Sequence, residues 1–183
     1  MRIISGKARG TKLFTLEGEN TRPTLDRVKE PLFSILMHQV PEAKVLDLFA
    51  GSGALGLEAL SRGAESVVLC DNSRAAIKVI NNNLDKTKLN TYAEIINADY
   101  KSCLKKLQGR KFDLIFLDPP YETDCIEISV KQILELDLLA KDGVIVAETD
   151  REEIIDKIKN IDINIEDIRH YGRVILIFLK RKG

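Results

Sequence analysis

The stretch from Lys44 to Leu60 leaves few folds open. Lys44-Val45-Leu46 is a short apolar run. Asp47-Leu48-Phe49-Ala50-Gly51-Ser52-Gly53-Ala54-Leu55-Gly56 follows, and Leu57-Glu58-Ala59-Leu60 continues with helical spacing. A strand ends, the chain turns through glycines and a helix begins, which lets a ligand approach the backbone N–H groups at the helix start. Gly51-x-Gly53-x-x-Gly56 fits the dinucleotide spacing, although the same pattern also serves simply to seat a helix on a strand. Asp47 sharpens the reading. A carboxylate at the strand end, just ahead of the glycines, would repel a pyrophosphate and suits a ligand that carries positive charge.

From this point the chain alternates. Strands are expected at 44–48, 66–70, 93–97, 112–117 and 143–148, with helices at about 54–62, 73–86, 100–107 and 125–138 between them. Such alternation with apolar strands predicts an α/β fold, a parallel sheet with helices on both faces. A helix near 151–159 precedes two strand-like runs, 161–169 and 173–180, separated only by His170-Tyr171-Gly172. That link is too short for a crossover helix, so the two runs pair antiparallel. Ahead of the core, 2–5 and 11–14 read as short strands around Gly6-Lys7-Ala8-Arg9-Gly10, a basic hairpin, and 15–23 as irregular. Thr24-Leu25-Asp26-Arg27 reads as a helix start, with Val28, Leu32, Phe33, Ile35 and Leu36 as its apolar face to about Met37. Pro31 predicts a kink or a late start. Residues 1–40 thus read as an N-terminal extension and 41–183 as the core domain.

A chain of 183 residues is one domain's worth. No apolar run approaches the roughly 18–20 residues of a membrane span, and no signal peptide opens the chain. Three cysteines, Cys70, Cys103 and Cys125, lack metal spacing and read as reduced thiols of a cytoplasmic protein, and two histidines are too few for a histidine-based metal centre. No metal is therefore expected. The 28 basic and 28 acidic residues cancel, so net charge announces no nucleic acid. Their distribution says more. Arg2, Lys7, Arg9 and Lys12 stand without an acid in residues 1–12. Arg169, Arg173, Lys180, Arg181 and Lys182 do the same in 169–183. Two basic ends beside an acidic middle suit a phosphate-contacting face next to an acidic pocket, or simply keep a small protein soluble.

Three acids follow strand ends, the edge at which open parallel sheets bind ligands. Asp47 is the first. Asp71 closes the second strand at a distance from the glycine loop that suits ribose hydroxyls, or else caps the helix after it. Asp99 accepts from an adenine amino group or caps its own helix. S-adenosylmethionine carries an ammonium and a sulfonium and no phosphate, so it suits the first of these acids. After the fourth strand comes Asp118-Pro119-Pro120-Tyr121. Two prolines stiffen the backbone and remove two N–H donors. The loop then presents the Asp118 carboxylate and a proline carbonyl as acceptors beside an aromatic face. A planar base with an exocyclic amine needs that combination. Stacking on Tyr121 is worth about 1–3 kcal/mol, comparable to the few kcal/mol that unstacking a base costs.

These motifs resemble the class I S-adenosylmethionine-dependent methyltransferases that modify exocyclic amines. Arg2-Ile3-Ile4-Ser5-Gly6, Lys7-Ala8-Arg9-Gly10 and Arg22-Pro23-Thr24-x-Asp26-Arg27-Val28-Lys29-Glu30 narrow the likeness. Together they resemble the RsmD family, bacterial enzymes that methylate N2 of a guanine in 16S ribosomal RNA. The resemblance implies a Rossmann-like, seven-stranded sheet in the order 3-2-1-4-5-7-6 with strand 7 antiparallel. It implies cofactor contacts at Asp47, Phe49, Gly51, Gly53, Asp71, Asn72 and Asp99, and catalysis at Asp118, Pro119, Pro120 and Tyr121. It implies that the basic hairpin (Lys7, Arg9) and the segment with Arg22, Thr24 and Arg27 face RNA and help cover the pocket. The partner it implies is 16S ribosomal RNA or the small ribosomal subunit particle, met by a monomer.

The chemistry expected is direct transfer of a methyl group from sulfonium to amine, with no covalent enzyme intermediate. Three other readings stay open on the sequence. One is methylation of adenine N6 in DNA or RNA. Another is a nucleotide-dependent oxidoreductase built on the glycine loop. The third is a non-catalytic RNA-binding or assembly protein.

Overall fold

The computed structural model describes residues 1–17, 23–120 and 124–183, with the backbone alone for 23–26. Seven strands form one sheet: β1 Lys44–Asp47, β2 Ser66–Asp71, β3 Ala93–Asn97, β4 Phe112–Leu117, β5 Leu139–Thr149, β6 Asn164–Tyr171 and β7 Val174–Lys180. The helices are α1 Pro23–Ile35, α2 Ala54–Ser61, α3 Arg74–Thr87, α4 Tyr100–Lys106, α5 Cys125–Glu135 and α6 Glu153–Lys159. The sheet order is β3-β2-β1-β4-β5-β7-β6. Strands β1 to β5 run parallel, and β7 is antiparallel to both of its neighbours. Order and direction are those the resemblance implied.

The strands are apolar because both faces are covered, and alternate residues serve alternate faces. Val45, Leu114 and Phe116 enter one layer with Leu32 and Phe33 of α1, Leu57 and Leu60 of α2, and Ile80 of α3. Leu46, Ile115 and Leu117 enter the other with Leu104 of α4, Val130 of α5 and Ile158 of α6. All eight residues of α2 are buried. It is roofed by the N-terminal segment, whose Ile3, Ala8 and Leu13 share its layer.

Four local expectations shift. The hairpin at 2–5 and 11–14 closes through one antiparallel bridge, Arg2 to Lys12, rather than two strands. Its backbone groups are instead taken up by α2. Helix α1 starts at Pro23 and runs through Pro31, because packing of Val28, Leu32 and Phe33 outweighs the bond that proline removes. Strand β5 begins at Leu139, which pairs with Phe112 before the register slips to Leu114 with Val144. Helix α5 correspondingly ends at Glu135, and Asp137 turns the chain with a φ of 54°. Finally, β6 runs on to Tyr171, which pairs with Val174, so the link to β7 is a two-residue turn. Cys70 and Cys103 are buried, Cys125 is half-buried, and all three are free thiols. Among the described residues no helix is long and apolar enough to cross a membrane.

Candidate active site

The glycine loop is built as a cradle behind the end of β1. Gly51 and Gly53 hold φ angles of 56° and 82°, which side chains resist. Gly53 N–H donates to Ala50 O at 2.7 Å, and Ala50 N–H to Cys70 O at 2.8 Å. A Cβ on Gly56 would lie 2.6 Å from Leu69 Cδ2 and 3.0 Å from Val67 Cγ2. This glycine therefore does seat α2 on β2. The same closeness lets its N–H reach Asp47 Oδ2 at 3.0 Å.

Asp47 is 1% exposed, and its other oxygen, Oδ1, has no partner among the described residues. Burial pushes its pKa up to about 7, the Gly56 N–H draws it down, and the neighbouring Asp71 charge adds to the rise. A buried carboxylate oxygen without a donor is a site for a cationic or N–H-bearing ligand group. The ammonium of S-adenosylmethionine meets that requirement, and the residues present fit the cofactor.

Asp71 accepts from Gly51 N–H through Oδ2 and from Ser73 N–H through Oδ1, both at 2.9 Å. The cap of α3 is Ser73, whose Oγ accepts from Ala76 N–H, so Asp71 braces the loop rather than capping the helix. Asn72 beside it is exposed. Asp99 does cap α4, accepting from Ser102 N–H at 3.0 Å. Ser102, through its hydroxyl and its N–H, holds that carboxyl below its usual range. Phe49 is half-buried, with its ring 5.3 Å from that of Tyr100. The hydroxyl of Tyr100 is pushed up to about 12, first by burial and then by Cys125, its hydrogen-bond neighbour at the head of α5. Tyr100 thus joins the glycine loop to the helix after β4, a role with no signal in the sequence.

Strand β4 lies beside β1, with Asp47 level with Phe116, so Asp118 emerges next to the glycine loop. Asp118 is half-buried, Pro119 buried and Pro120 exposed. Tyr121 lies outside the described residues. The strand ends thus bring Asp47, Phe49, Gly51, Gly53, Asp71, Asn72, Asp99 and Asp118 to one edge. Among the described residues no group of three His, Cys, Asp or Glu is arranged to hold a metal ion.

The basic residues are distributed differently from the expectation. Lys7 N–H donates to Ser61 O at 2.8 Å, Ala8 N–H to Ser61 Oγ at 2.9 Å, and Lys7 Nζ sits over the Tyr92 ring. Ser61 ends α2 and Tyr92 precedes β3, so this turn, with Lys7 and Arg9, docks at the edge opposite Asp118. It does not cover the pocket. A Cβ on Gly6 would lie 1.8 Å from Ser61 O, which shows how closely the turn is held there. Arg27 is exposed on α1. Thr24 is in the first turn of that helix, and Arg22 lies outside the described residues.

Two buried polar clusters escaped the sequence reading. Glu58, fully buried, accepts from Ile4 N–H at 3.0 Å, Ser5 N–H at 3.1 Å and Arg62 Nε at 2.8 Å, and pairs with buried Lys29 at 3.1 Å. Lys29 also donates to Arg2 O at 2.7 Å. Asn83, equally buried, accepts from Phe14 N–H through Oδ1 at 2.7 Å and donates through Nδ2 to Phe14 O at 3.0 Å and to Ser52 O at 2.9 Å. It clips the N-terminal segment to the glycine loop itself.

Comparison with known proteins agrees with this architecture. The model of a family described as "Conserved hypothetical protein 95" matches residues 1–180. "Ribosomal RNA small subunit methyltransferase D" of Haemophilus influenzae is 39% identical, over 84% of this chain and 80% of its own. The protein of that name in Escherichia coli K12 is 38% identical, over 83% and 76%. A solved structure of a hypothetical protein from Thermus thermophilus superposes with a TM-score of 0.81 at 29% identity, covering 100% of this chain and 99% of that one. A family model spanning nearly the whole chain, and relatives this similar over most of their length, establish kinship: the chain belongs to the conserved hypothetical protein 95 family, the RsmD family of methyltransferases.

Proposed function

We propose that this protein transfers a methyl group from S-adenosylmethionine to the exocyclic N2 of a guanine in 16S ribosomal RNA. The observation that carries the reading is the pairing of two acceptors at adjacent strand ends. Buried Asp47 offers a cation an oxygen that has no partner among the described residues, and Asp118 stands beside it on a proline-stiffened loop. An oxidoreductase built on a pyrophosphate would have to place that anion against Asp47. The ribosomal RNA small subunit methyltransferases among the relatives supply the substrate class.

The cofactor, when bound, brings an electrophilic methyl on a sulfonium. Asp47 would hold its ammonium, and Asp71 and Asp99 would face its ribose and adenine. Asp118 and a proline carbonyl accept the two N–H hydrogens of the guanine amine. An aromatic amine is a poor nucleophile because its lone pair is delocalised into the ring. Holding both hydrogens out of the ring plane turns that lone pair toward the donor. Fixing the reactants in this geometry is worth roughly 7–11 kcal/mol. Tyr121 stacks on the target base. One proton leaves the nitrogen after transfer, to Asp118 or to water.

The test is nucleoside analysis by mass spectrometry of 16S RNA incubated with protein and labelled cofactor. N2-methylguanosine is the expected product. N6-methyladenosine would move the target to adenine, and no label with intact cofactor binding would leave an RNA-binding protein.

A further inference from the structure

The C-terminal basic residues do not act as one patch. Arg181 donates to Leu139 O at 2.9 Å and pairs with Asp137, and Lys182 pairs with Asp162 at 3.1 Å. Both lie at the edge opposite Asp118. Arg169 is paired with Asp167 at 2.7 Å. Arg173 is different. It sits on the two-residue turn between β6 and β7, next to Gly172 with its φ of 61°. Its side chain makes no hydrogen bond or ion pair among the described residues.

The antiparallel run of β7 carries that turn to the ligand edge, because Thr149 at the end of β5 is level with Ile175. Between the turn and the loop after β5 lies a cleft of about 400 Å³, lined by Asp150, Glu152, His170, Gly172, Arg173 and Ile175. Glu152 is occupied by His170 at 3.0 Å. Strand β5 adjoins β4, so the cleft is two strand spacings from Asp118, roughly 10 Å. Helix α6, which follows the loop lining the cleft, is tied to the head of α5 by Lys157 and Asp124 at 2.6 Å. An RNA strand with one base turned in at Asp118 reaches this cleft when it runs along the edge toward β7. The cleft offers its neighbour an uncommitted guanidinium and a carboxylate. A simple anion would meet the acids, and a simple cation would meet Arg173. A nucleotide carries both a phosphate and N–H or O–H donors.

We propose that this cleft is the subsite for the nucleotide adjoining the target base, with Arg173 binding its phosphate and Asp150 accepting from its base or ribose. The inference rests on the RNA methyltransferase reading above.

The experiment measures methyl transfer to bare 16S RNA and to unmethylated small-subunit particles across a salt series, with wild type, Arg173→Gln, Arg173→Lys and Lys180→Gln. Arg173→Gln is expected to raise KM for RNA about tenfold and to lower the slope of log(kcat/KM) against log salt by about one. Its kcat at saturating RNA and its cofactor affinity stay at wild-type values. Arg173→Lys recovers the slope. Lys180→Gln, the same charge change at the far edge, leaves it alone. A wild-type KM and slope in Arg173→Gln, or equal slopes in the Arg173 and Lys180 variants, overturns the subsite while the methyltransferase reading stands. No transfer by wild type to either RNA form overturns both.

Discussion

Replacing Asp47 by asparagine makes the molecule more stable and less able to bind its cofactor, and the gain grows with pH. The folded carboxyl, at about 7, holds its proton far more tightly than the ordinary 3.8 of an aspartate. Folding therefore favours the neutral form. Wild type is penalised as pH rises above 4, and the penalty saturates once pH passes 7. The penalty is about 2 kcal/mol at pH 5 and about 4 kcal/mol at pH 8. Asparagine keeps the acceptor for Gly56 N–H and never ionises. The Asp47→Asn variant should therefore gain 2–3 kcal/mol more over wild type at pH 8 than at pH 5, about 5–10 °C in midpoint temperature at this chain length. Thermal unfolding of both proteins at the two pH values reads it directly. Calorimetric titration of S-adenosylmethionine supplies the other half. Wild-type affinity should rise roughly 15-fold from pH 5.5 to 7 as the carboxyl ionises, and the variant should bind weakly and without that trend. Parallel pH profiles of stability in the two proteins would refute the idea that Asp47 is a strained, ligand-seeking acid.

Asp118→Ala should abolish methyl transfer and spare cofactor binding; calorimetry showing lost cofactor affinity, with turnover intact at saturation, would contradict its role on the base. Lys29→Met should cost about 3–5 kcal/mol, because Glu58 stays buried with a partner missing; adding Glu58→Gln should recover part of that loss in a melting experiment. Asn83→Ala should weaken cofactor binding about tenfold by freeing the Ser52 carbonyl, measured by titration; unchanged affinity with a lowered melting temperature would make Asn83 a fastener of the N-terminus only.

What the sequence made legible follows from periodicity and chain length. Alternating apolar runs placed every strand to within a few residues, and the short His170-Tyr171-Gly172 link forced the last two strands antiparallel. Acids at strand ends were visible because the sheet topology brings such positions together. The two polar clusters were hidden because Glu58 and Asn83 read as the solvent face of ordinary helices. Only the extension folded over α2 and α3 makes them interior. The charges of the C-terminus misled for a related reason. In a strand, seven residues span the full height of the sheet, so Arg173 and Lys180 finish at opposite edges. Whether Asp71 and Asp99 cap the helices that follow them rested on one or two hydrogen bonds, which spacing cannot resolve.

The fasteners of the N-terminal segment also order events in time. Ile4 bonds Glu58, 54 positions along the chain, and Phe14 bonds Asn83, 69 positions along. The N-terminal segment therefore has its full set of anchors only once both α2 and α3 have been made. Contacts closing loops of that length form late. The N-terminal segment is then among the last parts to find its place, and the glycine loop that Asn83 steadies acquires its final shape only when it does.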